Sequence, residues 1–474
     1  MTGMPTPETA TDLVRLTRHW ASEQPDATVY VYLEDGRTES DRLTYGELDR
    51  RARAFAAQLQ ARGLAGQRAM LVFPPGIDFA VAFVGCLYAG VVPVPAYPPE
   101  PHRLQHTLRR LISIIEDARA AVLVTSPTFL AMAQALVAQA GAEALKRVDW
   151  LTLDDAADAD AWTMPDVDGA TVAFLQYTSG STSAPKGVTI RHGGLITNMR
   201  MAATAYGFQR RAEVNVSWLP VYHDMGLVGM VLNTLITGGR AHLMPPYAFL
   251  KRPLSWLELL SSAQGTCTAA PNFAFDLCVR KVTPEQRDRL DLSHLRTLVN
   301  GAEPVRAETV DRFLRFFEPA GLRPEALRPS YGMAEVGLFI SAGTSGQPTS
   351  DRAVSRARLA RHAAVDAPPG DPDALRIVSC GPAAAGSDVR IVHPTTRRAL
   401  PAGAVGEIWI AGPHVAAGYW QRPDETEHSF GARLADSDAG PFLRTGDLGF
   451  LDADGALFVT GRRKDLLIIR GRNL

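Results

Sequence analysis

The feature that most constrains this fold is the alternation of continuously apolar runs with helical patterns between residues 44 and 124. Thr44-Tyr45-Gly46-Glu47-Leu48 opens a helix, with Thr44 as N-cap and Glu47 three residues on to complete a capping box. Leu48, Ala52, Phe55, Ala56 and Leu59 form its apolar stripe, and Gly63 ends it. Ala69 to Phe73 then reads as a buried strand, Asp78 to Tyr88 as an apolar helix and Val91 to Pro95 as a short strand. His102 to Asp117 reads as a helix, and Ala121 to Val124 as another strand. Strands without polar interruption are buried on both faces, which a parallel sheet covered by helices provides. The expectation is an α/β protein with a doubly wound, mostly parallel sheet.

The alternation resumes further on. Gly193 to Tyr206 is helical, Val214 to Trp218 a strand, Leu227 to Ile236 an apolar helix and Leu295 to Val299 a strand. Three strands end in polar, Gly-containing loops, and ligands bind beyond the carboxyl ends of parallel strands. From Ser341 to Asp373 Gly, Ser, Pro and Arg dominate and strand signals vanish, as in an insertion or a long functional loop. Asp388 to Val392, Gly406 to Ile410 and Leu457 to Val459 then alternate as short strands of a small antiparallel β sub-domain. With 474 residues the chain exceeds one ordinary core. The expected division is α/β sub-domains over 1–375 with an insertion at 341–373, and the β sub-domain over 376–465.

A net charge of −1 favours neither nucleic acid nor an anionic membrane as partner. Four cysteines (86, 267, 278 and 380) lack metal-ligand spacing and read as small core residues. Few cysteines and no signal sequence point to the cytoplasm. The most apolar region, Phe79 to Tyr97, is broken by Gly85, Gly90, Pro93 and Pro95, so no membrane span is expected. The chain has only five lysines, and two of them, Lys186 and Lys464, fall inside motifs.

Lys186 closes the stretch Thr178-Ser179-Gly180-Ser181-Thr182-Ser183-Ala184-Pro185-Lys186-Gly187, which follows the apolar run Thr171 to Leu175. Gly lets backbone approach a ligand, successive N–H groups in a turn bind anions, and hydroxyls add donors. Lys186 adds a point charge for phosphate. The stretch suits a triphosphate, although no Gly-Lys-Ser/Thr ends it as in a Walker A loop.

Five further stretches join it: Trp218 to Leu227 with Tyr222-His223-Asp224-Met225-Gly226, Asn300-Gly301-Ala302-Glu303-Pro304, Ser330-Tyr331-Gly332-Met333-Ala334-Glu335, Arg444 to Gly449 with Asp447, and Gly461 to Asn473 with Arg462. In this order and spacing they resemble the adenylate-forming superfamily, and within it most nearly the fatty acyl-AMP ligases. The wording of Tyr222 to Gly226, Asn300 to Pro304 and Tyr331 to Glu335 and the segment with Asp351-Arg352-Ala353 before Val378-Ser379-Cys380-Gly381 carry the closer resemblance. It implies the fold of that superfamily's large N-terminal domain, with residues 466–474 opening a C-terminal domain that is cut short.

The resemblance implies activation of a fatty acid with ATP to acyl-AMP and pyrophosphate, then transfer to the phosphopantetheine thiol of a carrier protein or carrier domain. It implies that Thr178, Ser179, Gly180, Ser181, Thr182 and Lys186 hold the β- and γ-phosphates and that Glu335 ligates Mg²⁺. Tyr331 would lie against adenine beside Gly301 and Ala302, within a segment that includes Ser330, Gly332, Met333 and Ala334. Asp447 would accept the ribose hydroxyls, Arg462 would reach ribose or phosphate, and His223 would sit at the mouth of the acyl tunnel. Residues around Met225 to Met230 and Met333 to Phe339 would line that tunnel. Ala334 departs from the superfamily's usual Thr. Two rivals share the fold: an acyl-CoA ligase, and an amino-acid or aryl-acid adenylation domain, to which Asp224 alone points. A non-catalytic nucleotide-binding module is a third.

Overall fold

The structure, a computed structural model, describes residues 6–99, 103–131, 145, 148–153, 157–178, 185–463, 468–469 and 472–473. The chain forms two compact units, each assembled from separate stretches: 1–196 with 209–250 and 419–421, and 197–208 with 251–418 and 422–474.

In the first unit, Val92–Pro95, Arg68–Leu71, Val122–Thr125 and Asp149–Thr152 lie side by side in that order as a parallel sheet. Its strands are apolar because both faces are covered: Met70, Val94, Leu123 and Leu175 share one cluster with the helix residues Leu108, Leu111 and Ile115. The helix Tyr45–Ala61 starts at the expected capping box, with the Glu47 amide donating to Thr44 Oγ1 (3.2 Å) and the Thr44 amide to Glu47 Oε2 (2.8 Å). The helix Asp78–Tyr88 packs on it at Gly85, where an added Cβ would lie 2.7 Å from Phe55 Cδ1. A second set of strands runs Val214–Ser217, Arg240–Leu243, Thr28–Tyr32 in parallel, with Asp41–Thr44 antiparallel at its end.

Two features of this unit differ from the sequence expectation. Val172–Thr178 does not feed a parallel sheet; it pairs antiparallel with Lys186–Arg191 as a hairpin. Val188 and Ile190, buried at period two, make the returning strand. Leu227–Leu232 is π-helical, and α-helix resumes only at Asn233–Thr237. Its altered register is met by buried donors, since the Tyr30 hydroxyl donates to Val231 O (3.0 Å) and Tyr45 to Thr234 O (3.2 Å). A uniformly apolar run carries no periodicity from which to tell π from α.

In the second unit, Cys267–Ala270, Thr297–Asn300 and Leu327–Gly332 are parallel neighbours, and Phe339–Ala342 closes that side antiparallel. Asp388–Val392, Gly406–Ala411, Leu443–Leu451 and Leu457–Arg462 form an antiparallel meander. The stretch expected to lack strands contains one. Asp351–Ser355 pairs antiparallel with Ala374–Val378. Side-chain tethers hold it where local propensity is poor: the Arg376 guanidinium spans both Asp351 oxygens (2.8 and 2.7 Å) and reaches Asp311 (2.6 Å), while Val354 is buried with Ile377 and Phe450.

All four cysteines are buried and none is in a disulfide. Burial pushes the Cys380 thiol up to about 12 and those of Cys86 and Cys278 higher still. Among the described residues no helix is long and apolar enough to cross a membrane.

His192, 1 % exposed, accepts the Leu13 amide on Nδ1 (3.2 Å). Burial pulls its pKa down to about 4, against the pull of Asp12 and Asp168. The folded state therefore resists a proton that the unfolded chain accepts near 6.5, so this group removes stability as pH falls from 6.5 towards 4. The stability lead of wild type over His192→Gln in urea unfolding is expected to shrink by about 2 kcal/mol between pH 7 and pH 5. A constant lead would contradict a buried neutral imidazole.

Candidate active site

In the first unit, the hairpin sets Thr178 directly opposite Lys186. Ser179, Gly180, Ser181 and Thr182, between them, lie outside the described residues, as do Lys464 and Asp465. The Lys186 ammonium sits 5.1 Å over the Tyr419 ring. The Trp420 amide donates to Gly187 O (2.7 Å), and Val188 bridges to Tyr419, so the 419–420 backbone is fastened to the hairpin. Gly187 is required by sterics, since a Cβ there would lie 2.9 Å from the Tyr177 ring. Tyr177 in turn donates to Asp117 Oδ2 (2.7 Å). A ring face attracts a cation through its quadrupole. Tyr419 escaped the sequence reading because no polar motif surrounds it.

His223 precedes the one-turn helix Asp224–Gly226. Its Nδ1 lies 2.8 Å from Asp224 Oδ1. The Met225 amide is 2.7 Å from the same oxygen and 3.3 Å from Nδ1. The shorter contact gives the amide to the carboxylate, so Nδ1 carries a proton and donates to Asp224, and Nε2 is the acceptor of the neutral ring. Desolvation lowers the His223 pKa, but the hydrogen bond to Asp224 and its charge outweigh that and raise it above the usual value. The side chain is half exposed. Gly226 is fixed by close approach, its Cβ position being 2.1 Å from Pro220 O. Met225, Leu227, Val228 and Met230 beyond it are buried.

In the second unit, Tyr331 at the end of Leu327–Gly332 donates its hydroxyl to Asp447 Oδ2 (2.7 Å). Arg462, opposite Asp447 across the antiparallel pair, donates Nε to Oδ1 (3.1 Å) with a side chain 70 % exposed. The Asp447 amide donates to Thr445 Oγ1 (3.0 Å), whose hydroxyl donates to Ile408 O (2.8 Å). Burial first, then the Asp447 charge, hold the Tyr331 hydroxyl protonated well above the usual phenol range. Ser330 and Tyr206 share a hydrogen bond (2.9 Å). Gly301 runs against the same strand, its Cβ position 3.0 Å from Ser330 O, and Ala302 takes a left-handed φ of 65°. Such a φ in a non-glycine residue is strain of the kind found at ligand sites. Gly332 leaves no room for a Cβ, which would fall 1.9 Å from Leu338 O, while the Met333 amide closes the turn onto that carbonyl (2.8 Å).

Glu335 lies on the 3₁₀ turn Ala334–Val336 and is 9 % exposed. Its carbonyl accepts the Ala416 amide (2.9 Å). Among the described residues no three His, Cys, Asp or Glu gather as a metal site. A Mg²⁺ that arrives with substrate phosphates is bound through one or two carboxylates and keeps several of its own waters.

Two outcomes follow from these geometries. Tyr331→Phe strips one donor from a buried carboxylate and is expected to lower unfolding stability by about 2 kcal/mol in urea. Asp224→Asn is expected to drop the His223 pKa below its ordinary value, because desolvation then acts unopposed; histidine ring resonances followed against pH read this directly.

The profile described as AMP-binding enzyme matches residues 17–420. The medium-chain-fatty-acid–[acyl-carrier-protein] ligase JamA of Moorena producens (strain JHB) is 43 % identical over 99 % of this chain and 79 % of its own length. The long-chain-fatty-acid–AMP ligase FadD26 of Mycobacterium tuberculosis (strain ATCC 25618 / H37Rv) is 38 % identical over 98 % of this chain and 81 % of its own. The crystal structure of a fatty acyl-adenylate ligase from L. pneumophila in complex with acyl adenylate and pyrophosphate superposes with a TM-score of 0.89 at 35 % identity, covering 99 % of this chain and 80 % of that one. The chain therefore belongs to the AMP-binding enzyme family and, within it, to the fatty acyl-AMP ligases.

Proposed function

We propose that this protein activates a fatty acid with ATP, forming acyl-AMP and releasing pyrophosphate, and delivers the acyl group to the phosphopantetheine thiol of an acyl carrier protein or carrier domain. The observation that carries the reading is 43 % identity, across nearly the whole chain, to a protein named as a fatty-acid–carrier-protein ligase. In the first step a carboxylate oxygen bonds to the α-phosphorus as its bond to pyrophosphate breaks. Both reactants are anions, so catalysis is positioning and charge neutralisation.

The chain's residues divide that work. Lys186 leaves the Tyr419 face for the phosphates, joined by the hydroxyls and amides of Thr178, Ser179, Gly180, Ser181 and Thr182. Tyr331 takes the adenine with Gly301 and Ala302, in the pocket segment Ser330, Gly332, Met333 and Ala334. Asp447 has lone pairs to spare after Tyr331 and Arg462 and accepts the ribose hydroxyls. Glu335 would hold Mg²⁺, which offsets phosphate charge. His223, with its pKa raised by Asp224, presents Nε2 beside the new acyl phosphate and donates from it when the ring is protonated. Met225 to Met230 and Met333 to Phe339 contribute to the acyl tunnel. Asp224 Oδ1 is already engaged by His223 and the Met225 amide, which favours a fatty substrate over an amino acid. The product feeds polyketide or lipopeptide assembly in the cytoplasm.

The test is incubation with ATP, Mg²⁺ and fatty acids from acetate to palmitate, with acyl-AMP and pyrophosphate quantified. Holo carrier protein or coenzyme A is then added. Acyl-AMP from a range of fatty acids, with the acyl group moving to the carrier and not to coenzyme A, is expected. Equal or faster formation of acyl-CoA would make the chain an acyl-CoA ligase, and adenylation of amino acids alone would overturn the fatty substrate.

A further inference from the structure

Strand Val172–Thr178 contains a buried polar residue with no part in the mechanism above. Gln176 is 3 % exposed. Alternation along the strand puts it on the face of Phe174, which is fully buried, and opposite to Leu175 and Tyr177. An apolar side chain is what such a position ordinarily takes, and a buried carboxamide there calls for a reason. Its Nε2 donates to Tyr222 O (2.9 Å), while Oε1 has no hydrogen-bond partner among the described residues. The carboxamide's one hydrogen bond among them thus lands on the residue before His223.

The Tyr222–Gly226 segment has other supports, each on a different atom. The Tyr222 ring meets Tyr97 edge-on at 4.7 Å, the His223 amide donates to Pro220 O (3.1 Å), and Gly226 packs on Pro220. These shape the turn. Gln176 joins it to the phosphate hairpin, lying two residues before Thr178 on its own strand.

We propose that Gln176 is a positioning residue: its amide tethers the Tyr222–His223 turn to the strand that carries the phosphate loop, fixing where the imidazole stands relative to the loop's Thr178. This rests on the acyl-adenylate reading above. The tether is a donor onto a carbonyl, so it sets backbone placement and leaves the Nε2 edge of His223 open. A strand residue is rigid, which is why this link orients more sharply than one from a loop.

Two near-isosteric changes test it. Gln176→Met keeps volume and removes the donor; Gln176→Leu removes it as well with a branched apolar side chain of similar size. Both are expected to lower kcat for acyl-AMP formation at least tenfold, about 1.4 kcal/mol of barrier, with KM for ATP within about twofold of wild type. In both, amide hydrogen exchange over residues 221–227 is expected to quicken while the strand 186–191 is unchanged. A kcat within twofold of wild type in either variant would overturn the proposal, as would parallel losses in kcat, KM and melting temperature, which mark a general structural role. Wild type forming no acyl-AMP would sink the functional reading instead. Exchange then decides alone: unaltered rates over 221–227 reject the tether.

Discussion

The antiparallel pairing that places Thr178 opposite Lys186 is the constraint on which the first unit's chemistry depends. Bringing the two ends of a loop together costs entropy that grows slowly with its length. Zipping both flanks into one ladder fixes its ends before any ligand arrives. The same ladder dictates Gly187, because the Tyr177 ring occupies the space a side chain would need. It also offers the carbonyl to which the Trp420 amide binds, and so puts the Tyr419 ring under the Lys186 ammonium. The lysine, the glycine and the aromatic pair are consequences of a single register.

Lys186, Asp447 and His223 share one arrangement: each has a partner that orients it. Lys186 rests on a ring face, which attracts a cation but holds no formal charge. Asp447 is shared between a phenol and a guanidinium, one neutral and one largely in solvent. His223 leans on Asp224 through Nδ1 and leaves the other nitrogen available. For a reaction between two anions this is economical, since preset dipoles and charges need not reorganise during the step.

Much of this was legible in the residues. The parallel strands declared themselves as uninterrupted apolar runs, the helix at Thr44 by its capping box, and the helix Asp78–Tyr88 to the residue. Asp447 and Tyr331, far apart in sequence, were each flagged by motif, and the structure joins them at 2.7 Å. What escaped has physical causes. The strand Asp351–Ser355 owes its place to Arg376 and two aspartates rather than to propensity. The π-helical segment Leu227–Leu232 gives its Val231 carbonyl to the hydroxyl of Tyr30, some two hundred residues away. The returning strand Lys186–Arg191 was hidden because its residues belong equally to the phosphate motif. Tyr419 and Gln176 act through a ring face and a single carbonyl, interactions that leave no spacing to read.

The state of the four cysteines carries a last consequence. An acyl-AMP is a mixed anhydride, a ready acylating agent towards any thiolate within reach. In this chain every thiol is buried, and three are held protonated far above neutral pH. The protein thereby offers no ready internal thiolate to intercept the activated acyl group, and the first competent thiol the intermediate meets is one brought from outside.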